Sequence, residues 1–152
     1  MANTFTKIYI QYVFSVKTRR NQLNNSFKEE MHKYITGIVK NCGCKLLCIN
    51  SVPDHIHIFV AMGTNISIAD LMKEVKSSST KFINDNRLTK IKFAWQDGYG
   101  AFSYSESQVN NVIEYINSQE KHHKKKTFKE EYLEFLEKFQ VVYDPRYVFD
   151  LD

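Results

Sequence analysis

Residues 53 to 62 read Pro-Asp-His-Ile-His-Ile-Phe-Val-Ala-Met, and this stretch decides the fold. In a strand, side chains two apart share a face. Ile56 and Ile58 therefore point to one side and His55 and His57 to the other, with Pro53-Asp54 as the turn that enters the strand. The spacing predicts a strand from His55 to about Met62, with one face made for an apolar core and two imidazoles aimed at a single point on the other.

Working backwards from this strand, a second one is expected from about Lys45 to Asn50, and Gly43 is a natural stop for the helix before it. That helix carries Phe27, Met31, Tyr34, Ile35, Ile38 and Val39 at helical spacing, and Ser26 with Glu29 reads as a capping box at its start. Further back, Ile8, Ile10, Tyr12, Phe14 and Val16 recur at every second position, which is strand spacing. Working forwards, Ser67 can cap a helix whose apolar line is Ile68, Leu71, Met72, Val75, Phe82 and Ile83. A strand is expected over Ile91 to Trp95, followed by an Asp97-Gly98 turn. A third helix opens at Ser105, boxed with Gln108, and runs to about Lys121. A fourth opens at Thr127, boxed with Glu130, and carries Phe128, Leu133, Phe135, Leu136 and Phe139. Strand, helix, strand, strand, helix, strand, helix, helix is the order of a ferredoxin-like α+β domain: one antiparallel sheet with helices on one face, plus C-terminal helices.

Composition narrows the function. The 152 residues, 43% hydrophobic and 14% aromatic, suffice for one compact domain with a real core, expected to span residues 1–152 with its core over about 5–125 and a helical extension over about 127–152. Twenty-one basic against seventeen acidic side chains give a mildly basic chain of formal charge +4. No apolar run approaches the roughly 20 residues of a membrane span, and the first residues lack a basic start followed by an apolar block, so a cytoplasmic protein is expected. Neither a Gly-x-x-x-x-Gly-Lys phosphate loop nor a Gly-x-Gly-x-x-Gly dinucleotide turn is present. Cys42, Cys44 and Cys48 lack the paired Cys-x-x-Cys spacing of most zinc modules and read as reduced structural thiols.

The chemistry concentrates in two places. His55 and His57 on a strand are a plausible half of a metal site, against the plainer reading of two polar residues on a wet sheet face. On the third helix, Val109, Val112, Ile113 and Ile116 form the core stripe, whereas Gln108, Tyr115, Gln119 and His122 share a flank of it. Gln119 lies one turn beyond Tyr115, which places an amide oxygen beside the phenol.

The His-Ile-His triplet at 55 to 57, followed by Tyr115-Ile116-Asn117-Ser118-Gln119 on a late helix, resembles the single-tyrosine HUH transposases of small bacterial insertion sequences, the IS200-like transposase family. Val13 to Arg19 is similar to that family's first strand and its basic exit, and Trp95 to Tyr99 to the segment before its tyrosine helix. The resemblance covers roughly residues 5 to 125. It implies a divalent ion, Mg²⁺ with Mn²⁺ as a substitute, held by His55, His57 and Gln119, and Tyr115 as nucleophile. Attack by the tyrosine would give a 5′-phosphotyrosine and a free 3′-hydroxyl, so rejoining needs no nucleoside triphosphate. The implied substrate is single-stranded DNA with hairpins near the element ends. The implied assembly is a homodimer in which the helix of one subunit, with Tyr115 and Gln119, completes the histidine pair of the other. Lys121, Lys124, Lys125 and Lys126 just beyond the helix are candidate phosphate contacts, as are Lys73, Lys76 and Lys81 on the second helix and Arg19 and Arg20 after the first strand. Two other readings compete: another HUH nuclease of the replication-initiator or relaxase type, and a non-catalytic nucleic-acid-binding module, which would need exposed aromatics on the sheet face.

Overall fold

The computed structural model describes residues 3–17 and 22–148. Its sheet has four antiparallel strands, β1 (Tyr9–Ser15), β2 (Lys45–Val52), β3 (His55–Ala61) and β4 (Gly100–Tyr104), in the order β2-β3-β1-β4. Two helices, α1 (Lys28–Asn41) and α2 (Ile68–Asp85), alternate with them in the ferredoxin-like sequence. Three C-terminal helices follow: α3 (Val109–Asn117), α4 (Gln119–His122) and α5 (Phe128–Lys138). The alternation in β1 and β3 divides the molecule into two layers. Ile10, Tyr12, Phe14, Ile56, Ile58 and Val60 meet Met31, Ile35 and Val39 of α1 and Leu71, Met72 and Val75 of α2 in the main core. On the opposite face Phe59 packs with Val112 and Ile116, and Val13 with Phe135 and Leu136.

That second face is the main departure from the expected architecture, because α3 and α5 cover it and both histidines are fully buried. Gly100 lets α5 lie close over β4: a Cβ there would stand 2.8 Å from the Phe102 ring and 3.0 Å from that of Tyr132. Gly43 ends α1 with a positive φ of 78°, as expected for a helix stop.

Three local expectations are corrected. The fourth strand lies at Gly100–Tyr104, not Ile91–Trp95. The Asn84 side chain takes both the Phe93 N–H (2.8 Å) and, as donor, its carbonyl (3.0 Å), so the Phe93 backbone is satisfied without a ladder, and the segment meets the end of β1 only in a single bridge between Trp95 and Val16. Phe93 and Trp95 instead plug the core, Trp95 meeting Phe14 edge-on at 4.7 Å and donating its indole N–H to Ser79 at 2.9 Å. The Ser26/Glu29 box is not formed: α1 begins at Lys28 with Phe27 as N-cap, and the Ser26 N–H goes to the Asn24 side chain in the preceding turn. The third helix is interrupted at Ser118, whose hydroxyl bonds back to the Glu114 carbonyl at 2.9 Å. The other caps form as expected. Ser67 accepts from the Asp70 N–H, Gln108 accepts from the Ser105 N–H, and Thr127 and Glu130 cap each other reciprocally.

Candidate metal and nucleophile site

Strand β3 brings His55 and His57 to the covered face with both rings fixed from behind. Asp54 Oδ1 lies 2.7 Å from His55 Nδ1, and Gln11 Oε1 of β1 lies 2.7 Å from His57 Nδ1. The Gln11 amide is oriented in turn, since its Nε2 donates to the Tyr104 hydroxyl at 2.9 Å. With each Nδ1 engaged, both Nε2 atoms face a common point, the arrangement that makes imidazole a metal ligand.

Four more side chains reach that point or its edge. Gln119 is fully buried, with its amide oxygen 3.4 Å from His55 Nε2 and its amide nitrogen donating to the Tyr115 carbonyl at 3.4 Å. His123, just past the interruption at Ser118, places Nε2 3.0 Å from Gln119 Oε1. Glu131 of α5 puts Oε1 3.3 Å from His55 Nε2, 3.1 Å from His57 Nε2 and 3.2 Å from His123 Nε2. Its other oxygen accepts from the Tyr115 hydroxyl. His122 lies against the Tyr115 ring, with centroids 4.7 Å apart. Tyr115 and Glu131 also line a cavity of about 370 Å³ with Gln11, Tyr104, Gln108 and Asn111, through which the phenol can be approached.

The electrostatics follow from burial opposed by pairing. Burial disfavours the Glu131 carboxylate, but hydrogen bonds from His123, His55 and His57 outweigh it and hold the group well below the usual carboxylate range. Burial lowers His57 below its ordinary value. For His55 burial is overcome by Asp54 and Glu131, which raise it. Tyr115 is pushed far above an ordinary phenol, by burial first and then by the Glu131 charge. Three imidazole nitrogens, a carboxylate and a neutral amide oxygen, all buried save the partly exposed His123, suit a divalent cation.

The sequence-derived candidates His55, His57, Gln119 and Tyr115 thus meet in one place. The phenol is bonded to Glu131, and Tyr115 and Gln119 lie beside the histidines of their own chain. His123 and Glu131 were not anticipated. A His at Gln119 plus four and a Glu on the buried face of an amphipathic helix were the available signals, and neither acquires meaning until α5 is folded onto the sheet.

The basic candidates are scattered. Lys121, Lys124 and Lys125 are exposed beside the site, while Lys126 pairs with Glu134 at 2.6 Å. Lys73 is exposed and Lys81 pairs with Asp85 at 2.6 Å. Lys76 is half-buried, donating to the carbonyls of Gln96 and Gly98 beneath Phe14 and Tyr99, a structural position. Arg19 and Arg20 lie outside the described residues. The cysteines are free thiols, with Cys44 accepting from the Gly63 N–H and Cys48 donating to Asn117.

The sequence profile described as "Transposase IS200 like" matches residues 4–119. The chain belongs to the IS200-like transposase family. A Deinococcus radiodurans protein, itself described as a candidate transposase, shares 18% identity over 78% of this chain and 95% of its own, with a TM-score of 0.62. The structure of a REP-associated tyrosine transposase bound to a REP hairpin shares 14% identity over 81% of this chain and 73% of its own, with a TM-score of 0.61. These two structures share the fold. No curated protein shows significant sequence similarity. Among the described residues of this IS200-like transposase, no helix is long and apolar enough to cross a membrane.

Proposed function

We propose that this IS200-like transposase cleaves and rejoins single-stranded DNA at the ends of an insertion sequence, with Tyr115 as nucleophile and a divalent ion held by His55, His57 and Gln119. The observation that carries this reading is the convergence of Tyr115 with the two inward-facing Nε2 atoms on one buried carboxylate. In the reaction a bond forms between the Tyr115 oxygen and the scissile phosphorus while the bond from phosphorus to the 3′ oxygen breaks. The phenol loses a proton, the 3′ oxygen gains one, and the retained phosphodiester energy drives rejoining. A divalent ion at this site, when bound, supplies Lewis-acid polarisation of the phosphate and stabilisation of the leaving oxygen. His55 and His57 present fixed nitrogens for it, and Gln11 and Asp54 keep those rings from turning.

The REP hairpin bound by a structurally similar protein supports DNA hairpins as the substrate element here. Lys121, Lys124 and Lys125 offer phosphate contacts next to the site. A base-stacking module is disfavoured because the sheet face is covered by α3 and α5 and is not open for bases. Incubation with Mn²⁺ or Mg²⁺ and single-stranded DNA from either flank of the gene is expected to yield a covalent adduct. Tyr115→Phe is expected to abolish it, a loss on the order of 10³-fold or more for an essential nucleophile. An adduct that survives the substitution places the nucleophile elsewhere. A homodimer belongs to the proposal. Because each chain brings Tyr115 to its own histidines, mixed Tyr115→Phe and His55→Ala subunits regain cleavage only if the helices exchange.

A further inference from the structure

We propose that His123 and Glu131 complete the shell of the divalent ion, and that Glu131 ties this shell to the nucleophile by holding the Tyr115 hydroxyl with its second oxygen. Ligand-to-ligand distances support the first half. With metal–ligand bonds of about 2.1 Å, neighbouring ligand atoms stand about 3.0 Å apart in an octahedron and about 3.4 Å apart in a tetrahedron. Glu131 Oε1 lies 3.1 to 3.3 Å from all three imidazole Nε2 atoms. Gln119 Oε1 lies 3.0 Å from His123 Nε2 and 3.4 Å from His55 Nε2. Five of the distances among these atoms therefore match the edges of a coordination shell, and the three imidazole nitrogens and the carboxylate oxygen all lie within 4.8 Å of one another.

Burial and charge point the same way. Glu131 is 2% exposed, and its hydrogen-bond partners among the described residues are three imidazoles and a phenol, with Lys126 acting on it only through its charge. A buried carboxylate needs compensating charge, and a divalent ion at the imidazole focus provides it. Both residues are held in place by neighbours. The interruption at Ser118 restarts the helix so that His123 turns inward, its ring 4.4 Å from that of His55. Phe128 at the start of α5 lies 4.5 Å from the His55 ring, and Phe135 lies 4.9 Å from Phe102, seating the helix over the site.

The second half follows from the carboxylate's two ends, since one oxygen faces the imidazoles and the other accepts from Tyr115. Glu131 is thus a positioning residue for the nucleophile as well as a ligand. The inference rests on the functional reading in taking Tyr115 as the nucleophile and a divalent ion at His55, His57 and Gln119.

Mn²⁺ binding to the full-length protein without DNA, followed by electron paramagnetic resonance of the free ion, tests the shell. Wild type is expected to bind one ion. Glu131→Gln and His123→Ala should each weaken binding at least tenfold, with folding checked by circular dichroism. Wild-type affinity in both Glu131→Gln and His123→Ala overturns the shell. For the bridge, the Tyr115 ¹³Cζ resonance, assigned by its absence in Tyr115→Phe, should shift in the isosteric Glu131→Gln; a resonance that stays put overturns the bridge. If wild type binds Mn²⁺ as described yet forms no DNA adduct, the functional reading fails and the shell stands.

Discussion

The two faces of the sheet are both buried, one almost wholly apolar and the other apolar around a cluster of polar groups. Beneath α1 and α2, β1 and β3 contribute Ile10, Tyr12, Phe14, Ile56, Ile58 and Val60, and the face is held by loss of apolar surface to water. Beneath α3 and α5 the same strands contribute Val13 and Phe59, which pack against the helices, and between them Gln11, Ser15, His55 and His57, joined by Gln119 and Glu131 from above. Burial therefore does not separate core from site. What separates them is whether each buried group is satisfied by shape or by a specific partner. The first face tolerates any good packing; on the second, every polar atom constrains another.

The comparison is tested most strongly by truncating one residue on each face of β3. Ile58→Ala, at a position 1% exposed, should cost about 2–5 kcal/mol of stability through lost transfer free energy and a cavity. His57→Ala, measured without added metal, should cost less, about 1–3 kcal/mol, because Glu131 keeps His55 and His123 as partners and the loss falls on the orphaned Gln11 amide oxygen. Urea denaturation of the two variants decides the matter. Equal losses would show that the polar face also bears the fold.

This division explains what was legible in the sequence. Alternation in Ile8 to Val16 and Ile56 to Val60 and the helical stripes of α1 and α2 encode the apolar face directly, because hydrophobic periodicity follows backbone geometry. The strand over Ile91 to Trp95 was misplaced because alternating Phe93 and Trp95 look like a strand, whereas the bonds to Asn84 that replace the ladder come from another element. On the polar face, His55, His57, Tyr115 and Gln119 were readable because local spacing holds each pair together. His123 and Glu131 join them through α5, whose docking rests on long-range contacts such as Phe135 with Phe102 and leaves no short-range signature.

A smaller effect is expected from the residue behind His57. Gln11 spans the imidazole and the Tyr104 hydroxyl, and Gln11→Leu removes that support while keeping roughly the same volume. A ring freed at Nδ1 can turn, and outer partners of this kind are typically worth about 10–100-fold in metal affinity. Mn²⁺ titration of Gln11→Leu should show that loss with only a modest change in urea midpoint. An unchanged affinity would mean that packing alone fixes the His57 ring.

The subtlest test uses the histidine on the apolar side. His32 of α1 lies 2.9 Å from the Ser51 hydroxyl through Nε2 and is lowered to about 4, by burial first and then by the Lys28 charge. His55, with two carboxylates beside it, moves the other way. A depressed histidine makes the unfolded chain bind the proton first. Its contribution is complete above the unfolded value near 6.5 and is lost as pH falls from there to about 4. Discounted for partial exposure, the loss should be about 1–2 kcal/mol. Carboxylates titrate in the same window, so the measurement is the difference between wild type and His32→Gln, which can keep the bond to Ser51. Between pH 7.5 and pH 4.5 wild type should lose more stability than the variant. Parallel curves would show that His32 takes up its proton inside the folded protein, and that the apolar face is not as dry around this imidazole as its packing indicates.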